Sequence, residues 1–593
     1  MITKSINKVI AGVCTLVVGT LLFSSCNDFL TIYPTDRTIG TDFWKTKADV
    51  EEMMDGAYKS MIEYGIQERA IVWGAYRSDE LVKQSDLSNL TLDNISAVNL
   101  LPTNYYNKWE GFYKVINNCN IVLDNAPNVL LEDPEFTEGD YNTIRAQMLA
   151  LRSLCYFYLV RAFRDVPYSA SAYTYDDQVL ILEQSTPEVV LQHCLDDLIE
   201  AERDIMKTGA YGKNNWRNWG YMTRDAVDAL IADIYLWRAS MTHNTGDYQQ
   251  AISYIDKVVA AKDDYYNLYH IDLVNDKEED KYHLEDGDMA LYTIFNNNAG
   301  NSHESILEWQ YNGRNNSNQA LENYYYESGN ADNHSTTPML MASSLFNSVD
   351  KNADTDQGQK FYLSKNDYRY WNNVYDANNE EAQQMGVRKM IETSSKLYDN
   401  TDMSGAKQDN SRAFNEFHQN WIVYRLTDLM LMKAEALTEI AANDSDEVNL
   451  KQAFDLVQVV NKRSLMKTAK DTLLFTNYKS KSAMELLVLG ERERELCFEG
   501  KRWFDLMRYC YRHMSGVNIN QTLASTSSWP ALYQPMLKMV VRKYANDGGG
   551  DAVSYKMKSE PYLYWPILES ELKVNSLLKQ NPVYIQEKST SKN

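Results

Sequence analysis

Histidine and cysteine are scarce, with 8 and 7 residues in a chain of 593. Beyond Cys14 and Cys26 the cysteines are Cys119, Cys155, Cys194, Cys497 and Cys510, and none forms a CxxC pair. That spacing excludes the usual zinc sites and a disulfide framework. Most of them lie in apolar helical stretches and read as buried free thiols, with one disulfide as the alternative. Also missing are HExxH, GxSxG and GxxxxGK, so the commonest metalloprotease, hydrolase and nucleotide signatures do not apply and no cofactor is expected. Positive charge is in deficit: 59 Lys and Arg face 82 Asp and Glu, a net charge of −23. Such a chain repels nucleic acid and anionic lipid surfaces, and a neutral partner suits it better. After Phe23 no apolar run approaches the ~20 residues of a membrane-spanning helix.

The beginning of the chain holds more pattern. Lys4 and Lys8 precede a weakly polar run from Val9 to Phe23, then Ser24, Ser25 and Cys26. This is the order of a signal peptide, and the run is too short to span a bilayer. LLFSSC resembles a lipobox, in which cleavage before a cysteine follows attachment of lipid to its sulfur; Phe23 stands where Leu is preferred. The expectation is a signal over 1–25, a tether over 26–44 anchored through lipid on Cys26, and no other membrane contact. An ordinary secretory signal is the alternative. Asp28, close to the lipid site, is a weak surface-export feature.

Apolar residues recur at helical spacing from Lys45 to Tyr64, Trp109 to Leu123, Tyr141 to Ala162, Thr186 to Met206, Arg224 to Met241 and Asp247 to Ala261. The last two, joined by HNTGDY, resemble a tetratricopeptide repeat. A second pair is expected at Trp421 to Ile440 and Val448 to Leu465, where Ala434 and Ala436 permit close helix contact. Between 262 and 420 the helical period weakens, and MALYTIF and SILEWQY look like strands. A further irregular stretch runs from Ser515 to Gly550. The expected fold is mostly α: a tetratricopeptide-like scaffold over 45–261 and 421–593, carrying a loop-rich insertion over 262–420 with a few short strands. Its length calls for two or more closely packed layers or lobes.

Several long segments then resemble one family. LVLGERERELCFEGKRWFDLMRY, Leu487 to Tyr509, is similar to the ERREL and EGxRxxDL signature of SusD/RagB-like nutrient-binding lipoproteins of the outer membrane. RLTDLMLMKAEAL and VVNKR resemble that family's repeat helices. PYLYWPILESELKVNSLLKQNPVY, Pro561 to Tyr584, resembles its closing segment, with Val583 in place of Gly. IRAQMLALRSLCYFYLVRAFRDVPY resembles half of its helix pair, with Arg164 in place of a customary Gly. The resemblance implies a surface-exposed lipoprotein that binds oligosaccharide and caps a TonB-dependent, SusC-like transporter. Some members serve peptide uptake instead.

The residues themselves also bear on chemistry. Glu491, Glu493, Glu495 and Glu499 alternate with Arg492, Arg494 and Arg502, which suggests paired charges, Arg492 with Glu495 and Glu499 with Arg502. Carboxylates so paired are held below their usual pKa and make poor general acids, which weighs against a secreted glycan hydrolase. Asp350, Asn352 and Asp354 follow the start of a calcium loop, but Thr355 and Phe361 break it, and a solvated loop is expected. A sugar site needs flat aromatics beside amides and guanidinium groups. Among 42 tyrosines, two clusters offer this mix. One is Trp73, Tyr76, Arg77 and Asp79; the other is Trp309, Tyr311, Asn312 and Arg314, followed by Tyr324. Trp503 and Phe504 are assigned to the core. A protein-binding adaptor is a further alternative and predicts no ligand-sized cleft.

Overall fold

The computed structural model describes residues 43–174, 181–271, 281–296, 300–311, 316–326, 337–391, 419–466, 469–470, 472–545 and 548–585. Cys26, Asn312 and Arg314 lie outside them. The first helix, α1 (Lys47–Met61), starts at a reciprocal cap: the Thr46 amide donates to Asp49 Oδ2 at 2.7 Å, and the Asp49 amide donates to the Thr46 hydroxyl. This satisfies two amides that a helix start leaves without partners. Next comes α2 (Tyr64–Ile71), which continues into a π-helical turn over Val72–Tyr76 and then the short strand β1 (Leu81–Lys83).

Two long helices follow, α3 (Glu110–Glu132) and α4 (Glu138–Phe163). Every residue of α4 from Ala146 to Phe163 is buried, which fits its lack of a polar face. Around it pack α3 and α5 (Pro187–Asp204); α5 in turn meets α6 (Arg224–Thr242), and α6 pairs with α7 (Thr245–Tyr269). The turn between α6 and α7 works because His243 adopts φ 58° and Asn244 caps the next helix. The middle of the chain contributes β2 (Ser305–Trp309), α8 (Gln319–Tyr325), β3 (Leu340–Ser343) and β4 (Gln384–Met385). The final part supplies β5 (Trp421–Arg425), the paired helices α9 (Leu426–Ile440) and α10 (Glu447–Ser464), then α11 (Lys481–Leu496) and α12 (Arg502–Arg512).

The α9–α10 pair stacks on α7 and α11, so the two repeats seen in the sequence join one helical layer. Ala434 and Ala436 are fully buried in it. β2 and β5 pair antiparallel with Trp309 opposite Trp421, while β1, β3 and β4 form a second small sheet. The buried apolar side chains form a connected core from Val50 to Tyr584.

Three local expectations are corrected. The helix expected from Trp421 begins only at Leu426, because the β-branched and aromatic run WIVYR pairs with β2. SILEWQY does form a strand, but MALYTIF forms a π-helical turn at Tyr292–Asn296. The stretch from Ser515 to Gly550 contains a helix at Gln534–Val541, opened by Pro535 at its first turn. The five cysteines are free and buried, and burial pushes the Cys119 thiol up to about 12.

The charged signature is interior. Glu491, Arg492, Glu493, Arg494 and Glu495 are all at most 3% exposed. Their partners are mostly not each other, as the sequence suggested, but residues from distant elements. Arg492 pairs with Asp505 and Asp428, both at 2.9 Å; Glu499 pairs with Lys389 at 2.7 Å and Arg425 at 2.8 Å. Glu495 is reached by Arg369, Arg425 and Arg463. Burial alone would raise the Glu495 carboxyl, but these guanidinium groups outweigh it and hold it well below the usual range. Asp354 belongs to the same interior and pairs with Arg494 at 2.7 Å, so it is not part of a solvated loop. Trp503 and Phe504 are in the core as expected.

Candidate functional site

The first expected cluster is buried and committed to structure. Trp73 and Tyr76 lie in the π-helical turn; the Trp73 indole donates to the Tyr106 carbonyl at 2.9 Å, and Tyr76 meets Ser96 at 2.6 Å. Gly74 between them touches backbone: a Cβ there would sit 1.8 Å from the Gly500 carbonyl oxygen. Arg77 donates to the Leu563 carbonyl at 2.8 Å and lies over the Trp503 ring. Asp79 is held by Arg502 and Arg542 at 2.8 and 2.7 Å. Tyr324 is also buried, its hydroxyl between Tyr106 and Glu68.

Trp309 and Tyr311 are buried too, at 4% and 7% exposed, but at the end of β2 they border cavities by the C-terminal end of α1, Trp309 one and Tyr311 the adjoining one. The cavities share Lys59 and Ile62 on their walls. One, of about 310 Å³ and open on one side, is bounded by α1, α4, β2 and the segment 216–222. The other, of about 610 Å³, lies over α1, α2 and the start of α8.

The walls are built from aromatic rings fixed by hydrogen bonds. Tyr58 stacks on Tyr221 with centroids 4.7 Å apart; its hydroxyl donates to Gln147 and accepts from the Met222 amide, both at 2.9 Å. The Tyr221 hydroxyl donates to Asp55. Trp216 is 43% exposed and meets the Tyr221 ring edge-on at 5.2 Å. Gly220 lets the strand approach, since a Cβ there would lie 2.6 Å from Gln310 Cγ. The Tyr311 hydroxyl donates to Gln67 Oε1 at 2.6 Å. Two buried donors are left over: the Trp309 indole N–H and Gln67 Nε2 have no acceptor in the protein. A buried donor without a partner costs about 1–3 kcal/mol.

Sequence reasoning did not single out Trp216, Tyr221, Tyr58 or Gln67. NNWRNWGYM, Asn214 to Met222, carries the same mix of flat rings, amides and guanidinium as the selected clusters, and that signal could have found two of them.

The cleft carboxylates are engaged as acceptors: Asp55 takes the Tyr221 hydroxyl, and Glu63 is paired with Lys114 at 2.6 Å. The acids with strongly raised pKa lie elsewhere. Burial lifts Glu493 to about 8 and pushes Glu80 well up, and the Glu493 carboxylate adds to the rise at Glu80. Arg502 Nε lies 2.9 Å from Glu493 but donates to Asp79, so its charge is mostly spent there. Neither acid lines the cleft. Among the described residues no group of three or more His, Cys, Asp and Glu is placed to hold a metal ion, and no helix is long and apolar enough to cross a membrane.

Comparison with known proteins gives the frame for this cleft. The pattern of the SusD family matches residues 296–584, and a second pattern, described as starch-binding associating with outer membrane, matches residues 28–236. The chain belongs to the SusD/RagB-like family. The SusD-like protein P38 of Formosa agariphila is 22% identical over 510 residues, covering 82% of this chain and 88% of that one. Among solved structures, a SusD superfamily protein from Bacteroides vulgatus superposes with a TM-score of 0.62 at 16% identity, over 91% of this chain and all of that one. The B. fragilis NanU structure gives 0.61 at 18% identity, over 94% of this chain and 100% of its own. These likenesses establish the SusD fold. The two matched regions meet at the cleft: Tyr58, Trp216 and Tyr221 come from 28–236, Trp309 and Tyr311 from 296–584.

Proposed function

We propose that this SusD-like chain is a lipoprotein, lipidated on Cys26 and facing outward from the outer membrane, that binds oligosaccharide or polysaccharide and delivers it unchanged to a TonB-dependent SusC-like transporter. The reading rests on the family and on one observation: a cleft at the end of α1 walled by hydrogen-bonded aromatic rings beside amide and charged side chains. Rings offer stacking faces to a pyranose, and amide and indole donors suit its hydroxyl oxygens. Preformed walls need little reorganisation, so binding is reversible, as hand-over requires. Of the residues selected from sequence, Trp309 and Tyr311 are retained as ligand contacts and joined by Trp216 and Gln67; Asn312 and Arg314 follow directly in the chain.

The test is calorimetry and affinity electrophoresis of the protein from Asn27 onward against neutral polysaccharides, their oligosaccharides and peptides. Saturable glycan binding without new reducing ends is expected, weakened about tenfold, or about 1.4 kcal/mol, by Trp309→Ala with melting followed as a control. Binding to peptides alone overturns the glycan reading. Release of reducing ends overturns the non-enzymatic one.

A further inference from the structure

The two halves of the cleft differ in chemistry. The larger is polar: Lys59, Ser60, Glu63, Gln67, Asn316 and Gln319 line it. The smaller is walled by Met61, Leu151, Leu154, Met222 and Leu307 among the rings of Tyr58 and Trp309. A bare sugar carries hydroxyls round the edge of its ring, and sinking it into this chamber would leave several of them facing aliphatic side chains, where an unmade hydrogen bond is costly. The smaller cavity has room for a phenyl ring: an engineered hole of about 150 Å³ takes a benzene, and this one measures about 310 Å³. Its two methionines are thioethers that favour aromatic neighbours, and its rings are set for edge or face contact with another. Indole N–H groups without acceptors occur also at Trp219, Trp237 and Trp565, but those line neither cavity.

We infer that the smaller cavity takes an aromatic substituent carried by the saccharide, while the adjoining trough holds the sugar to which it is attached. This rests on the glycan-binding reading and refines it. Lys59 and Ile62 mark the boundary where the linkage crosses from one chamber to the other.

The experiment compares 4-nitrophenyl and methyl β-glycosides of glucose, galactose and xylose by titration calorimetry with the full mature chain. At least one 4-nitrophenyl glycoside is expected to bind about tenfold or more tightly than its methyl counterpart. Leu154→Trp, which fills the smaller cavity, should bring the two within about twofold. Trp216→Ala, at a half-exposed position, is the second variant should the filled protein fail to fold, and it should reduce the same preference. Equal binding of aryl and methyl glycosides, with polysaccharide still bound, overturns this inference and leaves the parent reading intact. An aryl preference that survives both variants overturns it too, as does free 4-nitrophenol binding as well as its glycosides. No binding of any glycoside or polysaccharide overturns both.

Discussion

Arg164 stands at φ 67° and ψ −68°, a backbone conformation that suits the glycine customary at this position and strains a residue with a side chain by about 1–3 kcal/mol. The guanidinium group gives the reason. It donates to Glu560 Oε1 and Asp165 Oδ1 and to the carbonyls of Gln521 and Asn518, each at 2.8 Å. Replacing it by glycine relieves the strain but leaves buried Glu560 without its cation, and breaking a buried pair costs about 3–5 kcal/mol. Arg164→Gly should therefore lower the denaturation midpoint; an unchanged or raised midpoint would show that the tie contributes nothing. Glu493 makes a second prediction at this scale. It titrates near 8 in the fold against about 4.3 unperturbed, so the native state keeps a proton that the unfolded chain releases, and stability falls as pH rises from about 4.5 towards 8. Asp428 and Glu435 act in the opposite sense. Burial would raise both, but Lys501 and Arg492 for the first, and Arg508 and Arg512 for the second, hold them at about 2, so their contribution is present above about 4.5 and lost as pH falls towards 2. Melting temperature should peak in mildly acidic buffer, and Glu493→Gln should flatten the decline on the alkaline side. An identical slope in the variant would remove Glu493 from the account.

Single elements show what a sequence discloses and what it hides. Helices with a clear apolar stripe were legible because the stripe and the period come from the same residues; α6 begins at Arg224 and ends one residue past the expected Met241. Their ends depend on caps and packing, so α3 runs on to Glu132 and α7 to Tyr269. In α4 the cap is explicit: Thr137 and Asp140 exchange backbone-to-side-chain bonds of 3.2 Å. Thr137→Ala should cost about 1 kcal/mol, measured by urea denaturation, because the amide of Asp140 loses its acceptor. WIVYR was not legible as a strand, since a short apolar run reads equally as buried helix until its partner is known, and that partner lies more than a hundred residues away in Ser305–Trp309. The site divides in the same way. In the sequence Trp309 and Tyr311 are flat rings beside amides and a guanidinium, and Trp73 and Tyr76 are flat rings beside a guanidinium and a carboxylate. Only tertiary packing separates them, because the π-helical turn carries the second pair inward against Gly500.

Across the whole molecule the two ends of the sequence are joined in the interior. Asp79 is clamped by Arg502 and Arg542, the Phe498 amide donates to Glu80 at 3.1 Å, and Lys543 donates to the carbonyls of Tyr76 and Leu81. The closing segment adds the Trp565 amide on the Ala162 carbonyl and the Glu569 amide on the Pro102 carbonyl, both at 2.9 Å. A chain ending before Pro561 loses these bonds and the acceptors of Arg77 together. It should lose the cooperative melting transition of the intact chain, as followed by calorimetry. A sharp single transition in the truncated protein would mean that the segment is an appendage.

The same tie has a temporal side. Arg77 finds its acceptors at Tyr562 and Leu563, nearly five hundred residues downstream, and contacts of such separation form late because the loop they close is long. While the polypeptide emerges from its N-terminus, the turn that holds Trp73 and Tyr76 has neither the backbone of Gly500 nor the ring of Trp503 to rest on. Helix pairs such as α3–α4 and α6–α7 have their local partners early. The centre of the molecule gains these hydrogen bonds only when the segment from Pro561 to Tyr584 is in place, which makes that segment the latch of the fold.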